Sequence, residues 1–122
     1  MSSYKDLDIY KLSLELFYLV HQASFKLPKN EVYELGSQLR RSSDSVVTNI
    51  VEGYGRSSYK ADFIRFLTFS WASCLETINH LEKINYLYGG VIPNIDELII
   101  RYIELSSKIF NFIKYVKQNW KT

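Results

Sequence analysis

Ser37-Gln38-Leu39-Arg40-Arg41-Ser42-Ser43-Asp44-Ser45-Val46-Val47-Thr48-Asn49-Ile50-Val51-Glu52-Gly53-Tyr54-Gly55-Arg56 is the stretch that decides the fold. Leu39, Val46 and Ile50, with Leu35 upstream and Ser42 or Ser43 between, recur at helical spacing and form one apolar stripe. The central serines are small enough to let a neighbouring helix come close. Glu34, Gln38, Arg41, Ser45, Asn49, Glu52 and Arg56 follow one another in steps of three and four, which places them in one polar arc. Gly53 and Gly55 then punctuate a basic turn.

Working outward, the remaining turn-formers sit between periodic segments: Pro28 on one side, Gly89, Gly90 and Pro93 on the other. The chain therefore reads as four helices, about 6–25, 32–54, 58–88 and 94–120. Ile9, Leu12, Leu16, Leu19 or Val20 and Ala23 give the first its inner face. Phe63, Leu67, Ser70, Cys74, Leu81 and Tyr88 line the third. Leu98, Tyr102, Leu105, Ile109, Phe112 and Val116 line the fourth. Asn94 with Glu97 three residues on resembles a capping box at the start of that last helix. At ~1.5 Å rise per residue the third and fourth helices would each be about 40 Å long. Strand alternation is absent, and short connections between long helices favour antiparallel neighbours. The expected fold is all-α: an antiparallel up-down four-helix bundle, one domain over 1–122.

Composition bounds the function. Hydrophobic residues make up 47% and charged residues 23% of the 122, as in ordinary globular domains. The aromatic share, 16% with ten Tyr, exceeds what one small core needs, and aromatic residues are enriched at interfaces. A net charge of +2 does not by itself mark a nucleic-acid binder. The single cysteine, Cys74, excludes an intrachain disulfide and a cysteine metal cluster. The polar opening residues and the lack of a long apolar run point to the cytoplasm and away from a membrane.

Helices 3 and 4 each carry a second apolar stripe: Ile64, Trp71, Leu75 and Ile78 on one, Ile99, Ile103, Phe110 and Ile113 on the other. Two readings stand, a wide buried face or a self-association surface; the aromatic load favours the second.

Charge is distributed unevenly. Arg40, Arg41, Arg56, Lys60 and Arg65 outnumber the acids of the same stretch, Asp44, Glu52 and Asp62. Arg40–Asp44 and Glu52–Arg56 are spaced for surface ion pairs. The glycine turn leads into a helix N-terminus, where backbone N–H groups and arginines can hold phosphate. No Lys-Ser or Lys-Thr closes it, so it is not a Walker A loop. Lys114, Lys117 and Lys121 form a second basic cluster, or simply complement the dipole of the last helix.

Catalytic and metal chemistry find little support. His21 and His80 are isolated, and Glu76–His80 supplies only two ligands, without the Glu-x-x-His pairs of di-iron bundles. Gln38, Asn49, Glu52 and Glu76 read as a polar network fixing helix register rather than as acid–base machinery. No enzyme activity, cofactor or metal is expected.

The decisive run also carries a family resemblance. Ser37-Gln38-Leu39-Arg40-Arg41, Asn49-Ile50-Val51-Glu52-Gly53, Gly55-Arg56 and Phe66-Leu67 resemble the four-helix bundle proteins that include the 23S rRNA intervening-sequence proteins. Asp6-Leu7-Asp8-Ile9-Tyr10, Leu27-Pro28-Lys29 with Glu31 and Tyr33, and Ser73 with Glu76 extend the similarity from Asp6 to Leu81. This chain departs from the usual pattern at Ser42 and Ser43 (two alanines), at Val47 (a proline), at Thr48 and Val51 (small residues), and at Ala72 (a glycine). The resemblance implies a homo-oligomer, typically a pentameric ring, and genes found inside insertions in ribosomal RNA genes. A related group serves the reverse transcriptase of diversity-generating retroelements. The implied partners are a second copy of the chain and RNA or a reverse-transcriptase-like protein. The alternative is a structural or protein-interaction module with no nucleic-acid role.

Overall fold

The structure, a computed structural model, describes residues 3–121. A 3-10 turn at Tyr4–Asp6 precedes four helices: α1 (Asp8–Ser24), α2 (Leu35–Gly55), α3 (Lys60–Leu87) and α4 (Ile95–Asn119). There are no strands among the described residues. Among the described residues no helix is long and apolar enough to cross a membrane. α2 packs on α1 and on α3, α3 packs on α4, and α4 returns to α1, closing the four helices round one core.

The expected inner stripes make that core. Leu16, Val20, Leu39, Val46, Ile50, Phe63, Leu67, Leu81, Leu105, Ile109 and Val116 are fully buried. Val47 is also buried and lies inside an unbroken α2. Its backbone N–H stays available to the helical ladder that a proline would interrupt.

The helix ends differ from expectation in instructive ways. Before α1, Ser3 caps the 3-10 turn, accepting from the Lys5 N–H, while the Asp6 carboxylate accepts from the Ser3 N–H. That reciprocal cap ends the turn at Asp6, so α1 begins at Asp8. Between α1 and α2, the carbonyl of Glu31 accepts from both Glu34 and Gly36, which keeps residues 32–34 in turns and delays α2 to Leu35. At α4 the expected capping box does not form. Asn94 sits at φ 60 in the left-handed region, with no side-chain cap bond. Asn is one of the few non-glycine residues that tolerates this conformation. It turns the chain here through its backbone rather than its amide.

Candidate functional site

The α2–α3 seam is built from small polar side chains. Ser70 Oγ donates to the Val46 carbonyl (2.7 Å), Thr77 Oγ1 donates to Ser42 Oγ (2.9 Å), and the hydroxyls of Ser45 and Ser73 lie 2.8 Å apart. Asn49 Nδ2 donates to both the carbonyl and the hydroxyl of Ser45, each at 2.9 Å. Gly53 ends the row: a Cβ there would fall 3.2 Å from Phe66 Cβ and 3.3 Å from Phe63 Cδ1. Ser42 is therefore part of the seam's hydrogen bonding, whereas Ser43 Oγ donates within α2 to the Arg40 carbonyl.

This corrects the expected polar network. Asn49 belongs to it, but Glu52 is drawn to Arg56, and Glu76 lies on the surface beside His80 (3.4 Å). Gln38 is exposed. The carboxylates do not meet across the helices because the seam is too narrow; serine and threonine occupy it instead.

The arginines divide. Arg40 points inward: Nη1 donates to Ser24 Oγ (2.7 Å), Nη2 donates to the Val32 carbonyl (3.0 Å), and the guanidinium lies 4.5 Å from the centre of the Phe25 ring. It staples α1, the following turn and α2 together. It makes no ion pair with Asp44 among the described residues, and its N–H groups are engaged within the fold rather than held out as a phosphate clamp. Arg41 is exposed.

At the glycine turn, the amides of Arg56, Ser57 and Tyr59 are spent on the carbonyls of Glu52, Gly53, Tyr54 and Arg56. These three amides are closed within the turn; the first amides of α3, at Lys60, Ala61 and Asp62, are not among them. Arg56 Nε meets Glu52 Oε2 at 3.0 Å and its Nη1 reaches Asp62 Oδ2 at 3.7 Å, while Arg65 meets Asp62 Oδ1 at 3.5 Å. Both guanidinium groups lie over Phe66, at 4.8 and 5.0 Å. Two carboxylates thus offset two arginines in exposed pairs, each worth under about 1 kcal/mol.

The remaining cations converge through a contact absent from the sequence reading. Trp120 Nε1 donates to the Ser57 carbonyl (2.8 Å), and its ring meets Phe63 edge-on at 5.0 Å. This ties the end of α4 to the α2–α3 turn. Lys117 and Lys121, flanking Trp120, therefore share one end of the bundle with Arg56 and Lys60, and Lys114 stands one turn further along α4. Among the described residues none of these four lysines is ion-paired.

A family profile described as 23S rRNA-intervening sequence protein matches residues 5–111. The chain belongs to this family. A search of curated proteins found no match. In this intervening-sequence family member, the residues that carry the resemblance have structural jobs. Leu39 and Ile50 are core, Asn49 and Ser73 are in the seam, Gly53 sets the approach of α3, and Arg40 is the staple. The profile stops at 111, so Lys114, Lys117, Trp120 and Lys121 lie beyond the matched region.

The second apolar stripes also divide. Ile64, Trp71, Ile78 and Ile99 are half-buried against the core, and Trp71 packs on Phe110 at 5.9 Å. Leu75, Ile103 and Phe110 are 43–48% exposed. Ile113, expected at an interface, is 6% exposed and belongs to the core. Its position in α4 falls between the two stripes, close enough to the inner one to turn inward.

Cys74 is buried and donates to the Tyr102 carbonyl (3.4 Å); burial pushes its thiol up to about 12. Burial likewise pushes Tyr102 up, with a smaller contribution from Cys74. A thiol held protonated is a poor nucleophile. No three His, Cys, Asp or Glu side chains come together among the described residues as metal ligands would. Two further long-range pairs were not foreseen: Tyr88 Oη donates to Glu31 Oε2 (2.6 Å), which raises the Tyr88 pKa, and Arg101 pairs with Glu15. Their partners lie 57 and 86 residues apart, beyond any local spacing rule.

Proposed function

We propose that the chain is a non-enzymatic cytoplasmic protein, an antiparallel up-down bundle assembling into a homo-oligomeric ring, that binds RNA through its lysine-rich end. The antiparallel order is supported by the cross-helix pairs: Ser42 with Thr77 but Ser45 with Ser73, so that numbers rise on one helix as they fall on the other. The observation that carries the RNA reading is the Trp120–Ser57 bond. It ties the end of α4, with Lys117 and Lys121, to the α2–α3 turn that precedes Lys60; none of the three is ion-paired among the described residues. Unpaired lysines at one end of the bundle attract a polyanion and release its counterions on binding. The family's name, which refers to a sequence within 23S rRNA, makes RNA the polyanion to test first.

The experiment is a salt titration of RNA affinity for the native chain and for Lys117→Ala/Lys121→Ala. Two lost phosphate contacts should lower the slope of log K against log salt by roughly 1.4–1.8. An unchanged affinity and slope would remove this end of the bundle from consideration.

Self-association is supported by Trp71, Leu75, Ile103 and Phe110, an apolar strip on the α3–α4 side. If this strip serves only protein contacts, the chain is an interaction module, with a reverse-transcriptase-like protein as one candidate partner. Sedimentation decides the assembly: a monomer of 14.4 kDa at all concentrations refutes the ring, including the pentamer that the resemblance implies.

A further inference from the structure

We propose that a row of aromatic side chains on the outer side of α1, ending on Arg40, is a stacking platform for unpaired RNA bases. Phe17, His21 and Phe25 are spaced four apart, which sets them one above another on a helix. Phe17 and His21 have ring centres 5.6 Å apart, and His21 and Phe25 5.3 Å apart; Tyr18 flanks Phe17 at 5.7 Å. Arg40 closes the row over Phe25.

None of these rings belongs to the hydrophobic core. The core side of α1 is supplied by Ile9, Leu16, Val20 and Ala23, while Tyr18 and Phe25 are 56% and 49% exposed and His21 is exposed. Phe, Tyr, His and Arg are the side chains on which splayed-out bases stack. The charge around the row also suits a nucleic acid. Two acids of the neighbouring sequence are engaged elsewhere, Glu15 by Arg101 of α4 and Glu31 by Tyr88, while Glu34 is exposed. Lys26 and Lys29, just beyond Phe25, are exposed and make no ion pair among the described residues. Arg40 is already committed to Ser24 and Val32, so its role is a flat cationic surface rather than a phosphate clamp. Bases in a duplex are covered on both faces by their neighbours. Only unpaired bases can use the platform, and single-stranded RNA is the class of ligand it selects.

This inference rests on the RNA reading above, and the test separates the two. A short fluorescent RNA without self-complementarity, alone and annealed to its complement, is titrated with the full chain and followed by anisotropy. The native chain is expected to bind the single strand at least about five-fold more tightly than the duplex. Phe25→Ala should lose about five-fold or more for the single strand, with duplex affinity and salt slope unchanged. Phe25→Tyr keeps a stacking ring and should retain binding. Phe25 is half exposed, so helix content by circular dichroism should be native in both variants. Equal affinity of native chain and Phe25→Ala for the single strand overturns the platform while leaving the lysine-rich end intact. Binding of neither RNA by the native chain overturns both readings.

Discussion

Gly53→Ala tests whether the α2–α3 seam is as tight as the geometry says. In a helix, replacing Gly by Ala gains about 1 kcal/mol in propensity. Here the new methyl would sit 3.2 Å from Phe66 Cβ and 3.3 Å from Phe63 Cδ1, a few tenths of an ångström too close to both. Neither neighbour can yield easily. Phe66 Cβ is fixed to the α3 backbone, and the Phe63 ring, fully buried, is held between Phe112 (5.9 Å) and Trp120 (5.0 Å). The helices must part, stretching the Ser70–Val46 and Ser45–Ser73 bonds further up the seam. Overpacking of this kind costs about 1–3 kcal/mol, so the net effect is destabilising by up to about 2 kcal/mol, or neutral at the least. Gly55→Ala is the internal control. Nothing lies within 4 Å of its Cβ, so the propensity gain, up to about 1 kcal/mol, is kept. Urea denaturation of the two variants at one protein concentration measures the gap, expected near 1–3 kcal/mol. The fixed concentration matters because self-association would shift apparent stability by mass action. If Gly53→Ala stabilises as much as Gly55→Ala, the seam has room and the close-approach argument is wrong.

Other predictions concern the staple, the buried thiol and the apolar strip. Arg40→Ala removes two hydrogen bonds and a ring contact, so unfolding free energy should fall by about 2–4 kcal/mol; Arg40→Lys, lacking the planar fork, should not restore it. A loss below 0.5 kcal/mol would show that the staple is dispensable, since a single ordinary hydrogen bond contributes about that much. Cys74 should resist thiol reagents in the native chain at pH 8 and react at once in denaturant. Its raised pKa also fixes the sign of a pH effect: stability from the protonated thiol is fully present below the unfolded value of 9.0 and is lost as pH rises from there through about 12. Denaturation midpoints that stay level across that window would contradict the burial. Phe110→Asp, which places a charge on the exposed strip beside Trp71, should lower the sedimenting mass without reducing helix content. An unchanged mass would place self-association elsewhere.

Much of this molecule is local and so is written in local spacing. The inner stripes of all four helices could be read directly, because burial of one helix face needs only a periodicity of three and four. Val46, Ile50, Leu67 and Ile109 are each fully buried as the pattern requires. Ile113 shows where the pattern blurs: one position of helical phase separates a core residue from an interface residue, and only the neighbouring helix decides. Helix ends were less legible. The Glu31 carbonyl that arrests residues 32–34 is not marked by residue type, and the Asn94 turn uses backbone conformation where a side-chain cap was expected.

The candidate site divides along the same line. Sequence named Arg40, Arg41, Arg56, Lys60, Arg65, Lys114, Lys117 and Lys121 as one class by charge, but charge does not say what each touches. Tertiary contacts turned Arg40 into a staple, offset Arg56 and Arg65 with Glu52 and Asp62, and tied the end of α4 to the α2–α3 turn through Trp120. The sequence alone determined the four helices, their inner faces and the family, since periodicity and motif are properties of short segments. Which polar groups are spent inside the fold, and which remain for a partner, was decided only by packing. The reason is that a hydrogen bond or ion pair depends on distances between segments far apart in the chain, and no local pattern encodes them.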